Sequence, residues 1–191
     1  MYILGLNGSP NRNGGTAFLI GRILEGCAND GAETEIASVP EAVASARHPF
    51  CAVCDNPCKK ACYSGTMLEE VFEKMIKADA LVIGSPVYFG LPSAQLKAFF
   101  DKTRALRGAK LLIGKPCGFV SIGGARFGGQ ETTITAMQSM ALVQGMTVLG
   151  EGSGEFDAGH HGVCAVRDVL DEYTLSRCDS MAKRLQLEVR S

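Results

Sequence analysis

Tryptophan is absent from this sequence, and no apolar run approaches the roughly 20 residues that a membrane span needs. Neither sign of charge predominates: 19 basic and 20 acidic residues leave a net charge of −1. There is no electrostatic case for nucleic acid or an anionic membrane surface as a partner. No triad and no paired carboxylates are evident, so no side chain is marked as nucleophile or base. The opening Met1-Tyr2-Ile3-Leu4-Gly5-Leu6 is apolar but lacks a basic stretch and a small-residue cleavage site. It reads as a buried strand and not as an export signal. A cytoplasmic, reducing location is the expectation, in which the eight cysteines are thiols or metal ligands rather than a disulfide framework.

What is present suits one compact domain over residues 1–191, with 46% apolar and 20% charged residues. Short apolar runs alternate with longer amphipathic ones. Strands are expected at Tyr2–Leu6, Glu33–Val39, Ala80–Ile83, Pro116–Ile122 and Thr147–Leu149. Helices are expected from Thr16 to about Ala28, then at Met67–Ala78, Ser93–Arg104, Gln130–Gln144 and Asp168–Leu187. Residues 40–65 carry three prolines and four cysteines with little periodicity. The alternation implies right-handed crossovers and an α/β fold with a doubly wound, five-stranded parallel sheet.

In such a sheet, ligands bind outside the carboxyl ends of the strands, where the strand order reverses. Three loops fall there. The first, Gly8 to Thr16, offers curled backbone N–H groups around Gly14 and Gly15, a helix N-terminus, and donors on Ser9, Asn11, Asn13 and Thr16. A phosphate fits it. No Gly-Lys-Ser/Thr follows, which disfavours an NTPase, and the glycine offsets are not those of a dinucleotide fold. A plain strand-to-helix turn capped by Thr16 is the alternative, but a nine-residue polar loop exceeds the ~2–6 residues that such a turn needs. The second loop, Gly84 to Gly90, supplies Pro86, Val87, Tyr88 and Phe89 as a flat apolar wall with backbone polar groups, as an isoalloxazine requires. At least one of its two aromatics is expected to be exposed. The third, Ser121 to Glu131, has four glycines between Gly123 and Gly129 and suggests close approach to something flat, or else a flexible lid.

Asn7-Gly8-Ser9-Pro10 with Thr16, Ala78-Asp79-Ala80 through Gly84-Ser85-Pro86-Val87-Tyr88, and Lys97-Ala98-Phe99-Phe100-Asp101-Lys102 carry a family resemblance. From Met1 to about Leu149 the chain resembles the NAD(P)H-dependent FMN reductase group of the flavodoxin-like superfamily. The resemblance implies FMN phosphate at Ser9, Asn11, Asn13, Gly15 and Thr16, with Gly14 in the same turn. It implies the isoalloxazine against Pro86, Val87, Tyr88 and Phe89, with Ser121, Gly123 and Gly124 beside the ring. Asn11 and Gly15 depart from the arginine and asparagine frequent at those positions.

Cys51, Cys54, Cys58 and Cys62 place four thiols within twelve residues, inside a cysteine-rich insertion at about 47–65. So dense a set favours a [4Fe–4S] cluster over zinc, which usually joins two separated Cys-x-x-Cys knuckles. A zinc site or four unligated thiols remain as alternatives. Compact cysteine motifs in this loop resemble those of the iron–sulfur flavoproteins, a branch of the same superfamily. The gaps here are two, three and three residues, wider than the usual Cys-x-x-Cys-x-x-Cys. Cys27, Cys117, Cys164 and Cys178 are expected in the core, and His160 and His161 as a surface pair or subunit contact, with a metal or proton-transfer role as the alternative.

The expected function is an FMN-dependent oxidoreductase that passes electrons between ferredoxin or NAD(P)H and a small acceptor. A reductase without iron, acting on flavin or quinone, and a non-catalytic flavin carrier or sensor are the rivals. The resemblance also implies a homodimer or homotetramer.

Overall fold

The computed structural model describes residues 1–154, 157–167 and 170–190. The elements run β1 (Tyr2–Asn7), α1 (Gly15–Asn29), β2 (Glu33–Ser38), α2 (Val39–Ser45), α3 (Met67–Lys77), β3 (Ala80–Pro86) and α4 (Ala94–Asp101). Then follow α5 (Arg104–Gly108), β4 (Pro116–Gly123), α6 (Gln130–Leu142), β5 (Thr147–Val148), β6 (Val163–Val166) and α7 (Glu172–Arg190). Among the described residues no helix is long and apolar enough to cross a membrane.

Among the described residues every pairing between strands is parallel, in the order β2-β1-β3-β4-β5, with β6 also on β4. Parallel strands buried on both faces read as near-continuous apolar runs, and β1, β3 and β4 do, apart from Asn7, Ser85 and Ser121 toward their carboxyl ends. Leu4, Leu6, Leu81, Ile83, Cys117 and Phe119 face one core, packed under α2 to α6. Ile3, Val82, Val120 and Ile122 face the other, under α1 and α7. The period-2 alternation of the strands thus sorts the side chains into two layers. Gly118 sits where α7 crosses β4, and a methyl group there would run into the Met181 side chain.

The fifth strand position is in two pieces. Thr147 and Val148 pair with Pro116 and Cys117, and Val163–Val166 pair with Val120–Gly123 further along the same edge. The strand expected at Thr147–Leu149 is thus only the first half of this edge. Four residues bounded by glycine and arginine are too short to show a period, which is why β6 escapes sequence reading. Helix α2 escapes likewise: it has seven residues, and Pro40, which reads as a breaker, occupies its first turn, where the missing N–H costs nothing. The helix expected at Ser93–Arg104 stops at Asp101 and restarts at Arg104. The last helix begins at Glu172, where Asp171 accepts a hydrogen bond from the Thr174 N–H at 2.9 Å. Its expected start at Asp168 lies outside the described residues.

Glu151, Asp157 and His160, between β5 and β6, are fastened to α7 by buried charge. Glu151 is 1% exposed, and its carboxylate accepts from Arg177 Nε at 2.8 Å and lies 2.9 Å from His160 Nδ1. The Arg177 guanidinium also pairs with Asp157 at 2.9 Å. Removing one partner from such a pair strands the other charge in a poor solvent for it. Arg177→Leu is expected to lower the unfolding free energy by about 3–5 kcal/mol in a urea titration. Arg22→Leu, which breaks the half-exposed pair with Asp179, is expected to cost at most about 1 kcal/mol in the same measurement.

Candidate functional site

The strand order reverses between β1 and β3, and the loops after β1, β3 and β4 meet at that edge. They are bonded to one another rather than merely adjacent. The Gly8 N–H donates to the Gly84 carbonyl at 2.8 Å, and Ser93 Oγ donates to the Gly8 carbonyl at 2.6 Å. The Ser93 N–H in turn donates to Ser85 Oγ at 2.9 Å, and Ser93 Oγ caps α4 by accepting from the Leu96 N–H. Between the second and third loops, the Val87 N–H donates to the Ile122 carbonyl and Thr132 Oγ1 to the Gly90 carbonyl. Gly15 lies against Ile122, so the first loop touches the third as well.

Within the first loop, a chain of side-chain-to-backbone bonds sets the curve. Asn7 Oδ1 accepts from the Ser9 N–H, Ser9 Oγ from the Asn11 N–H, and Asn11 Oδ1 from the Asn13 N–H, at 3.0 to 3.3 Å. Ser9 and Asn11 therefore shape the loop with their oxygens and keep only the hydroxyl and amide hydrogens for a ligand. Asn13 is exposed, Gly14 and Gly15 are half-buried, and Thr16 is buried in the first turn of α1. That turn has no side-chain cap and no acidic residue. Its N–H groups and the helix dipole lack an acceptor, and a phosphate supplies one.

The second and third loops form the apolar wall. Pro86 and Val87 are half-buried, while Tyr88 is 49% exposed and Phe89 fully exposed. Both aromatics face solvent, not just one. Phe89 and Gly90 hold positive φ angles of 53° and 79° in a tight turn closed by Tyr88 and Leu91. The N–H groups of Val87 and Tyr88 bond Ile122 and Leu91. Two of the backbone donors expected to serve an isoalloxazine are thus used within the protein. Gly123 is buried and Gly124 exposed, and Ser121 is fully buried with a hydroxyl that has no hydrogen-bond partner. The scaffold roles of Asn7, Ser93 and Thr132 were not apparent in the sequence. Only the helix-start position of Ser93 hinted at one.

Cys51, Cys58 and Cys62 are half-buried and Cys54 is exposed. Among the described residues no three His, Cys, Asp or Glu side chains are grouped to hold a metal ion. A tetrahedral zinc would draw its sulfurs to roughly 3.8 Å of one another; a cubane spreads its ligands around a larger body. Two buried groups beneath the loop fit an anionic occupant. Lys102 is 1% exposed, and the partner of its ammonium is Cys62 Sγ at 3.2 Å. Tyr63 is 1% exposed with an unpartnered hydroxyl, its phenol held well above its usual range by burial and then by nearby Cys58 and Cys62. A buried ammonium and a buried donor both call for negative charge, which thiolate-bound iron supplies. Elsewhere, burial pushes the Cys27 thiol up to about 11 and those of Cys117 and Cys178 up to about 12, as inert core residues. Cys164 is exposed, because it alternates outward between buried Val163 and Ala165 on β6.

The sequence profile described as NADPH-dependent FMN reductase matches residues 1–161. The chain belongs to this family. It is 38% identical over 165 residues to an iron–sulfur flavoprotein of Methanocaldococcus jannaschii, covering 85% of this chain and 83% of that one. An iron–sulfur flavoprotein of Methanosarcina thermophila is 35% identical over 155 residues, covering 80% and 79%. In fold, the WrbA-like flavodoxin of Agrobacterium tumefaciens superposes with a TM-score of 0.69 at 16% identity, covering 99% and 97%. Family membership makes the chain an FMN-dependent oxidoreductase.

Two substitutions test the joined loops. Ser93→Ala removes a cap and strands the Gly8 carbonyl, and is expected to cost about 1–3 kcal/mol in chemical denaturation. Gly129 has φ 96°, and a Cβ there would lie 2.9 Å from Gly90 Cα. Gly129→Ala is expected to push the second and third loops apart and weaken FMN binding about tenfold or more, read by flavin fluorescence titration.

Proposed function

We propose that this chain is a two-centre electron carrier, with FMN held at the three joined loops and a [4Fe–4S] cluster held by Cys51, Cys54, Cys58 and Cys62. The observation that carries the second centre is the buried Lys102 ammonium on Cys62, beside four thiols in one loop. The iron–sulfur flavoproteins among its relatives support the same reading. FMN exchanges electrons in pairs or singly, and an iron–sulfur cluster exchanges them singly, so together they link the two kinds of chemistry.

The protein's own part is to bind, orient and shield. The N–H groups opening α1, with Ser9, Asn11, Asn13, Gly14, Gly15 and Thr16, hold the phosphate. Pro86, Val87, Tyr88 and Phe89 give the ring an apolar wall, and Ser121, Gly123 and Gly124 border it. No side chain acts as nucleophile or base. The donor is a low-potential carrier such as ferredoxin, or NAD(P)H, and the acceptor is a small molecule. Exposed Phe89 and Phe127, at the same edge, support a homodimer or homotetramer. Free thiols and a cluster both suit a reducing, cytoplasmic compartment.

A reductase acting with NAD(P)H and no iron is the second reading, favoured by the ungrouped sulfurs. Anaerobic purification with iron and sulfide analysis separates the two. About four iron and four acid-labile sulfide per FMN are expected. Cys54→Ser is expected to lose the iron and keep the flavin spectrum. Wild-type protein with a flavin spectrum alone, bleached rapidly by NADPH, overturns the cluster in favour of the second reading.

A further inference from the structure

We propose that Lys102 is a positioning residue for the cysteine loop: its buried ammonium donates a hydrogen bond to Cys62 Sγ and sets how readily the bound cluster takes up an electron. The inference rests on the cluster reading above and goes beyond it, because it assigns the tuning to one side chain outside the cysteine motif.

Other cations surround the loop, but water or another partner mutes each of them. Lys59 is largely exposed and pairs with Asp55 at 3.5 Å. Arg47 donates to the carbonyls of Ala61 and Ser64, and Arg104 to the carbonyl of Asp55 at 3.2 Å. Lys60 is exposed. Among the described residues, Lys102 alone directs a cation at one of the four sulfurs. Lys102 is 1% exposed, so water is largely excluded from it, and Phe99, Phe100 and Leu106 nearby in the chain are buried too. In such a medium a unit charge a few ångströms away acts with a small effective dielectric constant and stands for tenfold or more in an equilibrium.

The placement follows from the helix that carries it. Lys102 is the C-terminal cap of α4, where the helix dipole favours a cation. The other end of α4 is held by Ser93 on the Gly8 carbonyl, at the phosphate loop. Eight residues at 1.5 Å each put the two ends about 12 Å apart, so α4 fixes Lys102 relative to the flavin loops. The step concerned is uptake of one electron, delivered by the flavin or the donor, with no bond made or broken and no proton moved. The added negative charge strengthens the Lys102–Cys62 bond, so the ammonium favours the reduced form.

The test is anaerobic redox titration of reconstituted wild type, Lys102→Met and Lys102→Arg, with iron and sulfide measured on each. The expected result is equal iron content and unchanged flavin potentials. In Lys102→Met the cluster's reduction equilibrium constant falls about tenfold or more, a shift of about 59 mV for one electron. Lys102→Arg is expected to restore most of it. Equal loading with an unmoved cluster potential overturns the role of Lys102 and leaves the cluster standing. If Lys102→Met does not load, wild type grown with 15N-lysine decides the matter. A nitrogen coupling to the reduced cluster in pulsed EPR supports the bond, and its absence overturns it. A wild type without iron overturns the two-centre reading itself.

Discussion

The hydrogen bond from the Gly8 N–H to the Gly84 carbonyl, closed over by the Ser93 hydroxyl, is the constraint on which the functional edge depends. Neighbouring parallel strands whose crossovers leave in opposite directions open a crevice between their loops. At β1 and β3 that crevice would expose backbone groups, and Gly8, Ser85 and Ser93 satisfy them from the two sides. The helix that follows, α4, is then fixed at its start. Through it the cysteine loop at its far end is fixed as well. One set of backbone bonds thus aligns both candidate centres.

Charge is used in the same economical way. The chain is close to neutral, and the ion pairs on its surface are the half-exposed kind that contribute little. Among the described residues, two cations are buried instead. Arg177 meets the carboxylates of Glu151 and Asp157 and ties the insertion between β5 and β6 to α7. Lys102 meets a cysteine sulfur. The first is an ion pair complete within the protein. The second is balanced only when the sulfur beside it carries negative charge, which distinguishes a structural cation from one that points to an occupant.

Much of the fold was legible in the residues. Continuous apolar runs such as Ala80 to Ile83 and helical spacing such as Leu19, Ile20, Ile23 and Leu24 located the strands and helices that make the sheet and its flanks. The short elements were not legible. Helix α2 and strand β6 owe their form to the neighbours they pack on, not to a period of their own. The exposure of Cys164 is of the same kind, since it depends on the register of β6 against β4.

The sequence by itself determined the chemistry on offer: a polar, glycine-bearing loop before a helix, two adjacent aromatics after a strand, and four thiols in twelve residues. These follow from local geometry and residue type, which a chain carries wherever it is. Tertiary structure alone decided which of those groups are free. It turned the amide of Val87 to the Ile122 carbonyl and the hydroxyl of Ser93 to the Gly8 carbonyl. It also buried Lys102, which as a lysine reads as a solvated surface residue, against Cys62 forty positions away. Burial and long-range pairing arise only when the chain closes on itself, so no local pattern announces them.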